Sequence, residues 1–425
     1  MFRTLVNAWK VRDIRTKILF TVLLFVIYRL GAFIPVPGVN VSFIAEQVKN
    51  LEILGFLNLF SGGSFSSFSI FAMGVSPYIT ASIIVQLITI AFPKLEEMAK
   101  DEDGKKKIEQ ITRYTGIGLA MVQCIGIIAS MGSQAVVSTS FWNYARITIT
   151  CTAGTALLIW LGERITEKGI GNGISMLIFA SIVSQVPTVV YTIFAGVFNV
   201  VPGTSYMYSW TIIPIVVAIV SILIMGVVAV DKAERKIPVQ YAKKVVGNKM
   251  YGGQSTYLPI KANANGVMPL IFAMTIIQFP GMIAQIFPGK FQTFWKTWFG
   301  QGEILYYVVY ALLILGFAYF YTTISFNTVE ISRNLQKNGG FIPGIRAGKP
   351  TSDYLNRISK RLTLFGALFL MLVATVPSIL LALFDIDVLS AFGPTSLLIM
   401  VSVALETTAQ LESLMLMRHY KGFLG

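Results

Sequence analysis

The chain has 425 residues, 55% of them hydrophobic and 13% charged, with a formal net charge of +14 and a mean hydropathy of +0.69. That composition excludes a soluble globule and leaves no stretch for a separate soluble domain, so the fold expected is an all-α polytopic membrane protein. Two cysteines, Cys124 and Cys151, both in apolar runs, support neither a disulfide framework nor a metal cluster and read as core packing.

In chain order, a basic amino end leads into the apolar segment Ile18 to Pro35, which is span-length and lacks a small-residue cleavage site. It reads as a first span and not as a signal peptide. The next stretch, Leu54 to Phe92, is nearly uncharged and 39 residues long. As one helix it would reach roughly 58 Å, about twice the roughly 30 Å of hydrocarbon in a bilayer, so the chain must fold back within it. Ser61-Gly62-Gly63-Ser64 and Ser66-Ser67 supply the break, predicting a re-entrant half-helix over Gly55 to Ser69 and then a span over 70–92. Non-helical backbone at membrane depth has to be satisfied by protein or a water-filled cavity, so the half-helix is expected inside a funnel. Further spans are predicted near 114–132, 143–162, 174–195, 211–230, 267–287, 304–325, 362–384 and 392–412, which with the first (18–36) makes ten transmembrane helices.

Lysine and arginine orient these spans, because cytoplasmic loops near span ends are enriched in them. The amino end and the segments after spans 2, 4, 6, 8 and 10 hold 29 of the 34 basic residues; the opposite side has Lys49, Arg146, Lys290 and Lys296, and Arg29 lies within span 1. Counting Gly55 to Ser69 as a full span would scatter those charges over both faces. Both termini are therefore expected in the cytoplasm, with the half-helix entering from outside. Ten spans divide into two inverted five-helix halves, residues 1–196 and 197–425, with a pathway at their interface. The halves share no strong sequence similarity, so this division rests on topology.

Two cytoplasmic loops, about 231–265 and 327–360, are unusually large for a compact bundle. In the first, alternation over Glu234 to Tyr241 and Ser255 to Ile260 around a Gly247-Asn248 turn predicts a loose hairpin. In the second, Thr328 to Lys337 reads as a helix stopped by Asn338-Gly339, and Thr351 or Ser352 as the cap of another helix leading into span 9. Between them the tip Phe341 to Gly348 projects into the cytoplasm. Most of these basic residues are ordinary for a cytoplasmic loop, but Arg346, held between turns on an apolar tip, is placed to meet a partner.

Covalent chemistry is poorly supported. No Walker loop, HExxH or GxSxG pattern occurs, and Gly169 to Ser175 has the wrong spacing for a phosphate loop and reads as the turn between spans 4 and 5. The lone His419 reads as a solvated surface residue, and Glu406 as interfacial. Span 2 carries Ser76, Thr80, Ser82, Gln86 and Thr89, too polar for a lipid face, while Val75 and Ile79 share one side. Span 7 opens with Asn263 and Asn265 and is interrupted by Pro269, Gln278 and Pro280 around Ile271. Such a pair describes either an aqueous path with an apolar constriction that blocks ions by dewetting, or ordinary helix packing.

Several motifs then carry a resemblance over essentially the whole length: Phe33-Ile34-Pro35-Val36-Pro37-Gly38, Asn58-Leu59-Phe60-Ser61-Gly62-Gly63, Pro77 to Ile84, Trp160-Leu161-Gly162-Glu163, Gly169 to Ser175, Phe341 to Arg346 and Gly393 to Ile399. The chain resembles the SecY family, the channel subunits of bacterial Sec protein translocases. The resemblance implies a plug at the half-helix, including Phe56, Leu57, Asn58, Phe60, Gly62, Gly63 and Phe65, and a pore ring falling on Val75, Ile79, Ile178, Ile271 and Ile399. It implies a lateral gate between spans 2/3 and 7/8, touching Thr80, Ile83, Gln123, Asn263, Gln278 and Phe279. Docking of the SecA motor ATPase or a ribosome is implied around Arg235, Tyr241, Lys243, Phe341, Ile345 and Arg346. SecE and SecG would be membrane partners, signal-bearing preproteins the cargo, and the bacterial cytoplasmic membrane the location, with no cofactor and no catalysis. The competing class, an inverted-repeat secondary transporter, would want ionisable ligands at mid-membrane, where this sequence offers aliphatics.

Overall fold

The computed structural model describes residues 6, 8–50, 58, 61–198, 212–241, 244–246, 249–251, 255–263, 266–286, 289–300, 303–383 and 394–421. The chain is mostly helical: α1 (Arg12–Gly31), α2 (Val41–Asn50), α3 (Ser76–Ala91), α4 (Pro93–Lys100), α5 (Glu102–Met131), α6 (Phe141–Lys168), α7 (Gly173–Phe198), α8 (Ile212–Asp231), α9 (Met268–Ile286), α10 (Lys290–Phe299), α11 (Ile304–Ser325), α12 (Thr328–Lys337), α13 (Lys349–Leu383) and α14 (Pro394–Lys421). Among the described residues six helical segments are long and apolar enough to cross a bilayer, or seven if α3 and α4, bent by 107°, count as one. Val216–Asp231 and Met268–Gly281 are shorter apolar stretches.

Local chemistry explains the helix limits. Pro35 and Pro37 follow α1, which ends at Gly31 and not at residue 36. Pro77 in the first turn starts α3, six residues later than predicted, and Pro93 opens α4. Glu102 and Asp103 occupy the first turn of α5, where carboxylates favour a helix start, so α5 projects well beyond its apolar part. Asn172 accepts hydrogen bonds from the backbone N–H groups of Ile174 and Ser175, so Gly169 to Ser175 is the tight turn expected and opens α7. Where an interruption was expected at Pro280, α9 runs through it, as α13 runs through Pro377. Neither Thr351 nor Ser352 caps α13. The helix starts earlier, at Lys349, and the Gly348 carbonyl accepts from both of their N–H groups.

Packing separates the helices into two sets. α6 packs on α1, α5 and α7, and α5 on α3; α11 packs on α9 and α13, and α8 and α13 on α14. Two seams join the sets, with α9 against α3 and α5 at one and α14 against α7 at the other. On the basic side, Arg113 of α5 and Glu163 of α6 form an ion pair at 2.7 Å.

The two large loops are one structure. Strands β1 (Glu234–Tyr241) and β4 (Ser255–Lys261) pair antiparallel, Ile237 opposite Leu258, while the short β2 (Lys244–Val246) and β3 (Lys249–Tyr251) pair with each other. From the second loop, β5 (Gly340–Phe341) joins the free edge of β1, with Gln240 opposite Phe341, giving the order β4-β1-β5. Alternation puts Ile237 and Val239 on one face, where they pack with Ile260, Ile342 and Leu355. The hairpin was expected; its third strand was not. The Gly247-Asn248 turn and the His419 side chain lie outside the described residues.

Candidate functional site

The segment expected as a half-helix is not helical from Ser61 onward. Asn58 is helical, but Ser61 to Val75 is a run of turns, and Phe56, Leu57 and Phe60 lie outside the described residues. Its own polar side chains compete for the backbone: Ser61 Oγ accepts from Phe65 N–H at 3.0 Å and Asn58 Oδ1 from Ser66 N–H at 2.8 Å. Gly62 and Gly63 have φ of +65° and +86°, outside the helical region. The segment is moored from both sides. Val36 N–H donates to the Phe68 carbonyl and Ile70 N–H to the Ile34 carbonyl, so the Phe33 to Gly38 motif forms its rail. Phe65 and Phe68 are fully buried in an apolar cluster with Val36, Ile44, Ile128 and Ile147. On α6, Gly154 is required: an added Cβ would stand 1.8 Å from the Ile70 carbonyl oxygen. Cys124 and Cys151 are free and buried in this same cluster, as core packing requires.

Directly after these turns the chain reaches the aliphatics. Val75, Ile79, Ile178, Ile271 and Ile399 are all buried and all belong to one apolar cluster, together with Ile182, Met274, Ile277 and Val403. They come from the end of the turn segment, α3, α7, α9 and α14, so both helix sets contribute.

At the α3–α9 seam Thr80 and Ile83 are buried, Thr80 bonding back to the Ser76 carbonyl at 3.1 Å. Gln123 is half-buried and Phe279 is 43% exposed. Gln86 accepts a hydrogen bond from the Tyr321 hydroxyl, tying α3 to α11 across the two helix sets. Asn263 sits at the foot of the hairpin, hydrogen-bonded to Asp231, and the Gln278 side chain lies outside the described residues. Burial pushes the Asp231 carboxyl above its ordinary value, against the opposing pull of Lys261 and Asn263. Tyr321 and Arg29 are functional candidates that span counting passed over. The signal available for Arg29 was its charge in an apolar helix; for Tyr321 there was none.

On the platform formed by the two large loops, Arg235, Phe341 and Arg346 are exposed, Tyr241 and Ile345 are half-buried, and Lys243 lies outside the described residues. Ile342 is the anchor of the tip, 3% exposed. The Thr351 hydroxyl donates to the Arg346 carbonyl at 2.8 Å, fixing the backbone while the guanidinium stays out.

Known proteins resemble this chain in sequence and in fold. The SecY family model matches residues 69–408. The protein translocase subunit SecY of Halalkalibacterium halodurans is 43% identical over 433 residues and that of Streptomyces galbus 42% over 445, each covering all of both chains. Among solved structures, one described as a protein conducting channel has a TM-score of 0.68 at 16% identity, covering 94% of this chain and 92% of that one. Sec61 in a canine ribosome–channel complex from the endoplasmic reticulum has a TM-score of 0.60 at 16% identity with the same coverage.

Proposed function

The chain belongs to the SecY family and is a multi-pass protein-conducting channel subunit, not a catalyst, and from that premise we propose how its parts divide the work. Ten spans form two halves, residues 1–196 and 197–425, with both termini in the cytoplasm of a bacterium. The two packing sets and the seams between them support this division. The segment about 55–69, described as turns from Ser61 onward, is the resting plug. Val75, Ile79, Ile178, Ile271 and Ile399 form the seal above it. The observation that carries this reading is the burial of all five in one apolar cluster drawn from both sets, immediately after the plug.

Chemistry favours aliphatics at such a waist. A static hole wide enough for an extended polypeptide would leak ions. Branched side chains exclude water at rest and close around a moving chain without hydrogen-bonding it, so any sequence can pass. The α3–α9 seam, latched by Gln86 and Tyr321, serves as the lateral gate where a signal's apolar core tests lipid. The platform is the docking surface for a SecA motor or a ribosome, the latter supported by the likeness to Sec61 from a ribosome–channel complex. SecE and SecG are the small membrane partners, and energy comes from the motor or ribosome.

The test is single-channel current across planar bilayers without precursor. Replacing Ile79, Ile178 and Ile271 together by Asn should raise resting conductance while transport persists. A polar-ring variant as silent as the parent would make these residues packing only.

A further inference from the structure

Arg29 lies near the end of α1, in a segment otherwise suited to lipid, where an unneutralised guanidinium is costly. Its partner is a neutral backbone carbonyl: Nη1 donates to the Gly62 oxygen at 2.8 Å, while the guanidinium lies 4.9 Å from the centre of the Phe33 ring. The preceding residue does the same one position earlier. The Tyr28 hydroxyl, 2% exposed, donates to the Ser61 carbonyl at 3.1 Å and lies 2.6 Å from Ser181 Oγ on α7. Two consecutive carbonyls of the turn segment are thus held by two consecutive side chains of α1. The backbone at Gly62 packs closely here, since an added Cβ would stand 3.1 Å from Ser181 Cα and Ser184 Oγ and 3.2 Å from the Tyr28 hydroxyl. The third member of the contact, Ser181, sits three residues after Ile178, so α7 carries both a seal residue and a latch residue.

We propose that Tyr28 and Arg29, with Ser181, form a polar latch that holds the plug in its seat, and that its release is coupled to the seal through α7. This rests on reading the turn segment as the plug and goes further by naming the residues that set how readily it leaves. The design suits a part that must both hold and let go. An apolar anchor alone is indifferent to direction, whereas hydrogen bonds to two carbonyls fail together once geometry shifts by about an ångström, because the interaction weakens steeply with distance and angle. When a passing chain pushes Ile178 outward, Ser181 moves with it and the Tyr28 contact opens. Arg29 and Tyr28 are positioning residues, acting through the plug carbonyls they hold.

The experiment uses purified channel with its small membrane partners, carrying Ser66→Cys in the plug. Two quantities are read: resting single-channel current, and the rate at which an impermeant thiol reagent added outside labels residue 66. Arg29→Gln and Tyr28→Phe should each raise both, with roughly tenfold or more for Arg29→Gln because a charge-assisted hydrogen bond is lost. Arg29→Lys, which keeps the charge but not the planar fork, should fall between parent and Arg29→Gln. Transport of a precursor with a disabled signal should rise relative to one with an intact signal. If Arg29→Gln is not recovered in the membrane, Tyr28→Phe decides, because it keeps the ring that stacks on Phe71 with centroids 5.7 Å apart. Parental current and parental labelling in these variants would overturn the latch. Deleting residues 61–67 separates the two readings: if deletion raises current and Arg29→Gln does not, the plug stands and the latch falls, whereas no change on deletion removes both.

Discussion

Arg346 and Ile342 stand four residues apart and do opposite work. Ile342 is buried among Ile237, Val239, Ile260 and Leu355 and holds the tip down; Arg346 is exposed, its backbone pinned by Thr351. An exposed arginine contributes about 0 to 1 kcal/mol to folding through a surface pair, so Arg346→Glu should leave membrane abundance near parental. Motor-driven transport should nevertheless collapse, because an interfacial charge pair that loses one partner costs about 2 to 5 kcal/mol. Comparing abundance by immunoblot with transport by inverted membrane vesicles checks this, and equal losses in both would make Arg346 structural. The five ring positions show what single residues could tell in advance. Branched aliphatics beside polar neighbours on span 2 raised the possibility of a constriction, but periodicity could not separate a seal from helix packing. Only the burial of residues from five separate segments in one cluster brings them together. Asn263 shows a partner that no local pattern announced: Asp231, on the far side of all four strands β1 to β4 in sequence, hydrogen-bonds its side chain.

Elements were most legible where hydropathy and breakers coincide. The limits of α11 and α12 agree with residues 304–325 and Thr328 to Lys337 because Asn327 caps α12 by accepting from the Glu330 N–H and Asn338-Gly339 stops it, with Gly339 at a φ of +70°. They were least legible where side chains rewrite the backbone. The stretch read as a half-helix is apolar enough for one, yet Ser61, Asn58, Gly62 and Gly63 turn it aside, as a hydropathy window cannot sense. The union of the two large loops was hidden for a different reason. β5 is two residues long, and the sequence separation between it and β1 is about a hundred residues, so no local pattern announces the pairing. The α3–α9 seam yields the element-scale prediction. A secretory signal has an apolar core of about 7 to 15 residues and needs a place to meet lipid while its flanks stay in water. A disulfide between cysteines at Ile83 and Gln278 should stop translocation, and reduction should restore it. Unimpaired transport in fully cross-linked protein, assayed in vesicles, would remove the gate from this seam.

For the whole molecule, the strongest information was the distribution of charge. With 29 of 34 basic residues assigned to one face, the positive-inside bias predicts which face is cytoplasmic. Cysteines at Lys105 and Lys349 should react with an impermeant thiol reagent only from the cytoplasm, and ones at Ser140 and Lys290 only from outside. Labelling of the Lys105 and Lys349 positions from opposite faces would overturn the ten-span topology. In the function proposed, a moored plug, an aliphatic seal, a seam between two helix sets and a basic platform together make a device that moves chains without chemistry of its own. The central claim is tested most directly by reconstituting the purified chain with its small membrane partners in liposomes, adding the motor ATPase, ATP and an unfolded secretory precursor, and measuring protease-protected precursor inside. The account predicts protected, full-length precursor that depends on ATP and on the signal; precursor that stays protease-sensitive although the complex is intact and the motor bound would contradict it.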